Sequence, residues 1–318
     1  MHDTIHLFAC SPSFIADGIC FAARDFGLYK SGDGGRTWHS AYERLQLARP
    51  LPTTSVLVSP EFAVDRRVYV GVHGGILCSP DGGATWQPAT VPEQLLPTCF
   101  AVSPAFAVDN TLFVGTLEHG VLRSGDRGSY WEAWNFGLLD RSVFALVVSP
   151  GYGSDRTVFV GTESGLFRST NGGRAWRELF LPCETEAVLS LAISSSYQLD
   201  GTLLAGTESA GLFASNDRGN TWVEVGNFSD AAINAILIDN TYSADRSIAV
   251  LYGGALHCRT LENMQWHTWD DKALTGRQIT ALAAPAGLAR GATLLAGVDG
   301  DSILAAFDLS PETSRAIC

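Results

Sequence analysis

Acidic and histidine side chains recur along this chain about every 45 residues, each beside a short turn. Aligned with one another they read Arg24-Asp25, Val72-His73, Leu117-Glu118-His119, Thr162-Glu163, Thr207-Glu208, Leu251-Tyr252 and Val298-Asp299. Six of the seven places hold an acid or a histidine. Drawn to one point they would offer up to five carboxylates and two imidazoles. Such a ring suits a divalent cation, with Asp25, His73, Glu118, His119 and Asp299 as ligands. It also suits acid–base catalysis by groups with separated pKa values, for which Glu118, His119, Glu163 and Glu208 are the candidates. A plainer reading stands beside this one. Gly-Thr-Glu-Ser occurs at 161–164 and again at 206–209, so Glu163 and Glu208 also fit as consensus turn residues. His73 and His119 break the repeat, and breaks are where function is grafted. Glu118-His119 is the foremost pair.

A second set of residues would hold an anion or stack on a ligand. Arg24, Arg44, Arg49 and Arg141 carry forked donors for a carboxylate or phosphate, and Tyr252 lies at a turn position. Arg44 and Arg49 fall in the longest inter-unit segment, 40–54, and Arg141 follows Asp140. Asp270-Asp271-Lys272 precedes the last unit. Trp134 and Trp269 stand three residues past a repeated tryptophan, placed for stacking on a sugar or a partner, or for packing at an outer edge.

The elements that must position these groups are set by two repeated markers. One is a box: Ser31-Gly-Asp33-Gly-Gly35-Arg-Thr37-Trp38. It returns around Asp81 and Trp86, Asp126 and Trp131, Asn171 and Trp176, and Asp217 and Trp222, and survives in decayed form ending at Trp266. The tryptophans are spaced 48, 45, 45, 46 and 44 residues apart. The other marker, clearest as Ser-Pro-x-aromatic-x-x-Asp, ends at Asp17, Asp65, Asp109, Asp155, Asp200 and Asp245, with Arg290 in the seventh place. Two markers of one period predict seven units. Each unit holds four short apolar runs bounded by Gly, Pro, Asn and Asp, which predicts a four-stranded antiparallel sheet. A period near 45 with four strands is a propeller blade. The expectation is an all-β, seven-bladed propeller filling residues 1–318, with blades near 4–50, 51–97, 98–141, 142–186, 187–231, 232–276 and 277–318. The innermost strand should be apolar on both faces, because neighbouring blades cover it. The box carboxylate should accept backbone N–H bonds two residues on, and the tryptophan should begin the outer strand and pack between blades.

Composition narrows the function. With 33 acids against 21 bases and a net charge of −12, the chain lacks the clustered cations that nucleic acid requires. Only two bases are lysines, Lys30 and Lys272. Seven cysteines without a CxxC pair suggest neither a disulfide framework nor a zinc knuckle. No apolar run approaches a membrane span and no basic leader precedes the first repeat, so no membrane insertion and a cytoplasmic setting are expected.

The boxes resemble those of the Asp-box, or BNR, repeat propellers. That group includes sialidases, sortilin-type receptors, xyloglucanases and the photosystem II assembly factor. The resemblance covers essentially the whole chain and implies the fold. It carries over no activity, since the box is architectural in all of them. A sialidase would bring an arginine triad, a Tyr–Glu pair and an Asp acid–base, with a Phe/Tyr-Arg-Ile/Val-Pro motif near its start. Here the first unit offers only Ala23-Arg24-Asp25. A xyloglucanase would bring two tandem propellers, a sortilin-type receptor a disulfide-rich module, and the assembly factor an arginine-rich patch. No Gly-x-Ser-x-Gly elbow, His-Glu-x-x-His or phosphate loop is present. The expectation is a non-catalytic binding or assembly propeller that offers its axial face and inter-blade loops to a protein or carbohydrate partner. The alternative is a metal-assisted hydrolase or lyase working from the ring of turns.

Overall fold

The computed structural model describes residues 3–238, 247–259, 265–269, 276–288, 292–298 and 305–308. They form an all-β propeller of antiparallel sheets whose strands follow chain order from the inside outward. Among the described residues six blades have four strands. In the fourth these are Val143–Val148, Val158–Thr162, Gly165–Ser169 and Arg177–Leu179. The remaining sheet has three, Ile279–Ala283, Thr293–Val298 and Ala305–Asp308. The expected count of seven four-stranded blades is therefore corrected to six. The physical reason lies in the last unit's sequence, which lacks the box and its tryptophan. The sixth unit keeps Trp266 and with it a two-residue outer strand, His267–Thr268.

The three-stranded sheet lies between the sixth blade and the first. It shares one apolar cluster with Leu251 and Leu256, and another with Ile5, Phe8 and Phe14. The ring is thereby closed. A row of glycines on the second strands permits this approach. A Cβ on Gly115 would stand 2.6 Å from Val143 of the next blade, on Gly206 2.5 Å from Ile233, and on Gly297 2.8 Å from Ile5. Hydroxyls bridge the same gaps: Thr54 donates to the carbonyl of Pro97 (2.6 Å), and Ser190 to that of Ile233 (2.7 Å).

Burial is most complete on the second strands, not the innermost. Cys20–Arg24, Val68–Val72, Val158–Thr162 and Leu203–Thr207 are buried at every residue, whereas Val143–Val148 is only half-buried at two positions. A second strand has strands on both edges and blades on both faces. The innermost strand has one edge without a partner strand.

Both markers are hydrogen-bonded turns at one end of the blades. Ser11 donates to Asp17 Oδ2 (2.7 Å) while Asp17 Oδ1 accepts the Ile19 N–H (2.9 Å), closing the one-turn helix Phe14–Asp17. In the box, Asp33 Oδ1 accepts the N–H groups of Arg36 (3.0 Å) and Thr37 (2.9 Å), and Oδ2 accepts the Thr37 hydroxyl (2.7 Å). Ser31 donates to Asp33 and accepts the Gly35 N–H. These bonds reach three and four residues on, not the expected two. Asp81 and Asp217 repeat the pattern with Thr85 and Thr221; Asp126 keeps its bonds to the N–H groups of Ser129 and Tyr130, and Asn171 the one to Ala175. The turns are tied together where Gly34 N–H donates to the Gly18 carbonyl, and likewise Gly82 to Arg66 and Gly172 to Arg156. Each tryptophan stands one residue ahead of its outer strand. Trp86 and Trp176 donate to carbonyls of the preceding blade, Ala41 and Trp134, whereas Trp38, Trp131 and Trp222 donate back to Gly35, Gly128 and Gly219.

Asp33 and Asp217 are expected to make stability acid-sensitive. Donation from Thr37 holds Asp33 well below the usual carboxylate range, and donation from Thr221 lowers Asp217 to about 2. For a depressed group, the stabilisation is present above the unfolded value of about 3.9 and is lost as pH falls through the folded value. The urea midpoint should therefore be level from about pH 7 to 5 and fall below about pH 4. Asp217→Asn should make the acid limb shallower. Parallel limbs for the variant and the parent would show that this carboxylate does not carry the effect.

Candidate functional site

Four of the second-to-third turns share one structural position, where Gly253 and not the aligned Tyr252 stands in the sixth blade. The turn N–H of Asp25, Glu163, Glu208 and Gly253 donates to the residue ahead of its own innermost strand, at Thr4, Ser142, Ala187 and Ala232. The side chains then go separate ways. Asp25 accepts the Thr4 N–H (3.1 Å) and lies 2.8 Å from His6 Nε2. Partial burial opposes its ionisation, but these two partners outweigh it and hold the carboxyl below its ordinary range. Arg24 is buried: it pairs with Asp3 at 2.6 Å and lies over the Tyr29 ring, so it is a strut and not a ligand arm.

Glu118 and His119 have separate surroundings. Glu118 is exposed and takes a positive φ of 73°, while His119 Nδ1 is 3.2 Å from the Leu117 carbonyl. The other nitrogen of His119 is 3.6 Å from Glu93, a residue of the segment entering the third blade that sequence reading passed over. His73, Glu163 and Glu208 are exposed. Asp140 is the second omission. It accepts the N–H groups of Ser142 (2.9 Å) and Ser164 (2.7 Å), which tie the fourth blade's turn to the loop before it. Tyr252 donates to the Ser229 carbonyl and packs edge-on against Phe228. Asp299 and 270–272 lie outside the described residues.

Arg44, Arg49 and Arg141 are exposed. Arg44 lies on the wall of a cavity of about 320 Å³ with Lys30 and His39. Trp134 is flanked by Arg123 and Arg174, with guanidinium carbons 4.6 and 5.4 Å from the ring, and Trp269 packs against the apolar cluster of the sixth blade. Among the described residues, no group of three or more His, Cys, Asp or Glu is placed to hold a metal ion. Among the described residues, the ring read from sequence is a set of turn places that forms no such cluster.

The loops on either side of the fourth blade expose large apolar side chains. Phe136 and Leu139, between the third and fourth blades, are 81% and 79% exposed, and Phe180, after the fourth outer strand, is 79% exposed. Leu138, next to Leu139 in the chain, is buried in the core. Among the described residues no helix is long and apolar enough to cross a membrane.

No family model matches the chain, and no curated protein does. Solved structures of Asp-box-type propellers do. The extracellular domain of a putative one-component system from B. thetaiotaomicron superposes with a TM-score of 0.71 at 14% identity, over 94% of this chain and 38% of that one. The GH74 xyloglucanase from Xanthomonas campestris gives 0.72 at 17% identity, over 93% of this chain and 51% of that one. YCF48, solved bound to D1 peptide, gives 0.67 at 16% identity, over 96% of this chain and 93% of that one. This chain thus spans well under half of that extracellular domain and about half of the xyloglucanase. At these identities the likeness is one of fold.

Proposed function

We propose that this chain is a non-catalytic binding propeller that takes a protein partner on the loops around its fourth blade. The observation that carries the reading is the exposure of Phe136, Leu139 and Phe180 beside the buried Leu138. Aromatic and aliphatic anchors held in water by a rigid scaffold are what a partner's pocket covers. The same aromatics suit a sugar face, which keeps carbohydrate as the other outcome. YCF48, which spans nearly the same length, is a propeller solved with a peptide. The enzyme reading is less well supported, because Asp25 and His119 are engaged by Thr4, His6, Leu117 and Glu93 within the chain. A cytoplasmic, reducing setting belongs to the same proposal; the six described cysteines are free thiols, with Cys10 and Cys20 facing each other across two strands.

The test places a photo-cross-linking phenylalanine analogue at 136, at 180 and, as control, at Val223 on an outer strand. The expected result is one protein captured from 136 and 180 but not from 223, with capture competed by the parent protein and not by a Phe136→Ser, Leu139→Ser, Phe180→Ser variant. Competition by that variant equal to the parent's would overturn the assignment. Saturable binding to a glycan by the parent alone would replace the protein partner with a carbohydrate.

A further inference from the structure

The cleft between the fourth and fifth blades holds two arginines, Arg168 and Arg218, that form no salt bridge among the described residues. Arg168 lies on the third strand of the fourth blade, just ahead of its box. Arg218 belongs to the fifth blade's box, and Tyr197 is the aromatic of that blade's other marker. With Asn220 and Thr157 they line a cavity of about 410 Å³. Arg168 Nη1 donates to the Arg218 carbonyl (2.8 Å) and to Asn220 Oδ1 (3.3 Å), and Arg218 Nη2 donates to the Gln198 carbonyl (2.9 Å). A guanidinium has five N–H donors, so most of both sets is unengaged. Asp155, also on the wall, already accepts the Ser149 hydroxyl (2.6 Å) and the Thr157 N–H (2.8 Å). Burial pushes the Tyr197 phenol up to about 12, against the pull of the two arginines, so it remains a donor.

The equivalent places between the first four blades lack this pair of arginines. Arg127, the counterpart of Arg218, lies 2.8 Å from Glu61 and 3.5 Å from Asp65. Gly172 replaces it in the fourth blade's box, where Arg123 donates instead to Thr111. Between the first and second blades Lys30 donates to the Gly82 carbonyl, and the marker aromatic, Phe62, has no hydroxyl.

We propose that this cleft is a binding site for a phosphoryl oxyanion. Three donors arrive from three elements: a strand, a box and a one-turn helix. A carboxylate's two coplanar oxygens are satisfied by a single arginine fork, whereas a phosphoryl group offers three oxygens in different directions. The cavity is within the size range of small-ligand sites, so the group arrives either on a small ester or on a phosphorylated side chain.

Isothermal titration of the full chain with inorganic phosphate, at low ionic strength and pH 7.5, tests the assignment. The expected result is saturable binding of one phosphate, weakened at least tenfold by Arg218→Gln and severalfold by Tyr197→Phe, and unchanged by Arg127→Gln. Arg168→Lys keeps a cation on the Arg218 carbonyl while removing the fork, and should weaken binding if Arg218→Gln fails to fold. Glycerol 3-phosphate and a phosphoserine peptide, titrated in parallel, distinguish the two sources by which binds more tightly than phosphate. Binding that does not saturate, that ignores both arginine substitutions, or that acetate matches would overturn the proposal.

Discussion

Trp131→Ala should lower the unfolding free energy by about 3–5 kcal/mol, the range for deleting a fully buried large aromatic. Trp131 is the largest side chain with no exposure at all. Its ring packs with Phe100 at 6.1 Å and belongs to the cluster of Tyr69, Leu112 and Val114, so truncation leaves a void that two blades share. The indole N–H also donates to the Gly128 carbonyl (3.0 Å). Trp86, by contrast, is only half-buried. Urea unfolding of the two alanine variants should therefore show a clearly lower midpoint for Trp131→Ala. Equal midpoints would mean that burial at the box tryptophan does not set its contribution.

Gly128→Ala is the second large effect. Gly128 has a φ of +84°, and an added Cβ would lie 2.5 Å from the ring of Tyr69 in the preceding blade. That ring is fully buried and its hydroxyl donates to the Arg127 carbonyl (2.9 Å), so it has nowhere to retreat. Left-handed backbone costs an L-residue about 1–2 kcal/mol, and overpacking adds about 1–3 kcal/mol. Gly74→Ala separates the two contributions, because Gly74 has a φ of +97° and a Cβ there would meet nothing within 4 Å. Thermal unfolding should show Gly128→Ala well below Gly74→Ala. Coincident transitions would remove the inter-blade contact as the reason for this glycine.

Most of the architecture was legible because it is written in residues with few substitutes. An aspartate that must accept two N–H groups, a serine that bonds both ways and a glycine pressed on the next blade leave the same letters each time. The blade count differs at the last unit, whose described residues carry three strands: apolar runs predict inner strands, and this unit has no box tryptophan to mark an outer one. Trp266 keeps one in the sixth blade even though the rest of its box has decayed. The candidate site was far less legible. Turn position could be aligned, but not whether a side chain is drawn inward to a partner, as Asp25 is to His6, or left in water, as Glu163 is. Arg168, Tyr197 and Arg218 are separated by 29 and 21 residues and sit in positions that otherwise serve architecture. What sets Arg218 apart from Arg127 is that the described residues give it no salt bridge across the gap, a fact about neighbouring blades that no local motif records.

The contacts of Gly297 with Ile5 and of Gly35 with Leu295 have a further consequence. A linear stack of repeats has terminal units with one neighbour each, and such stacks lose structure from their ends. Here the seam is built from the same pieces as the junctions at Gly115 and Gly206, so every unit has two neighbours. A defect cannot be shed by fraying; it loads the junctions on both sides. The denaturant slope should then report the surface of the whole molecule rather than that of one repeat, and the weakest junction sets the point at which all of them yield.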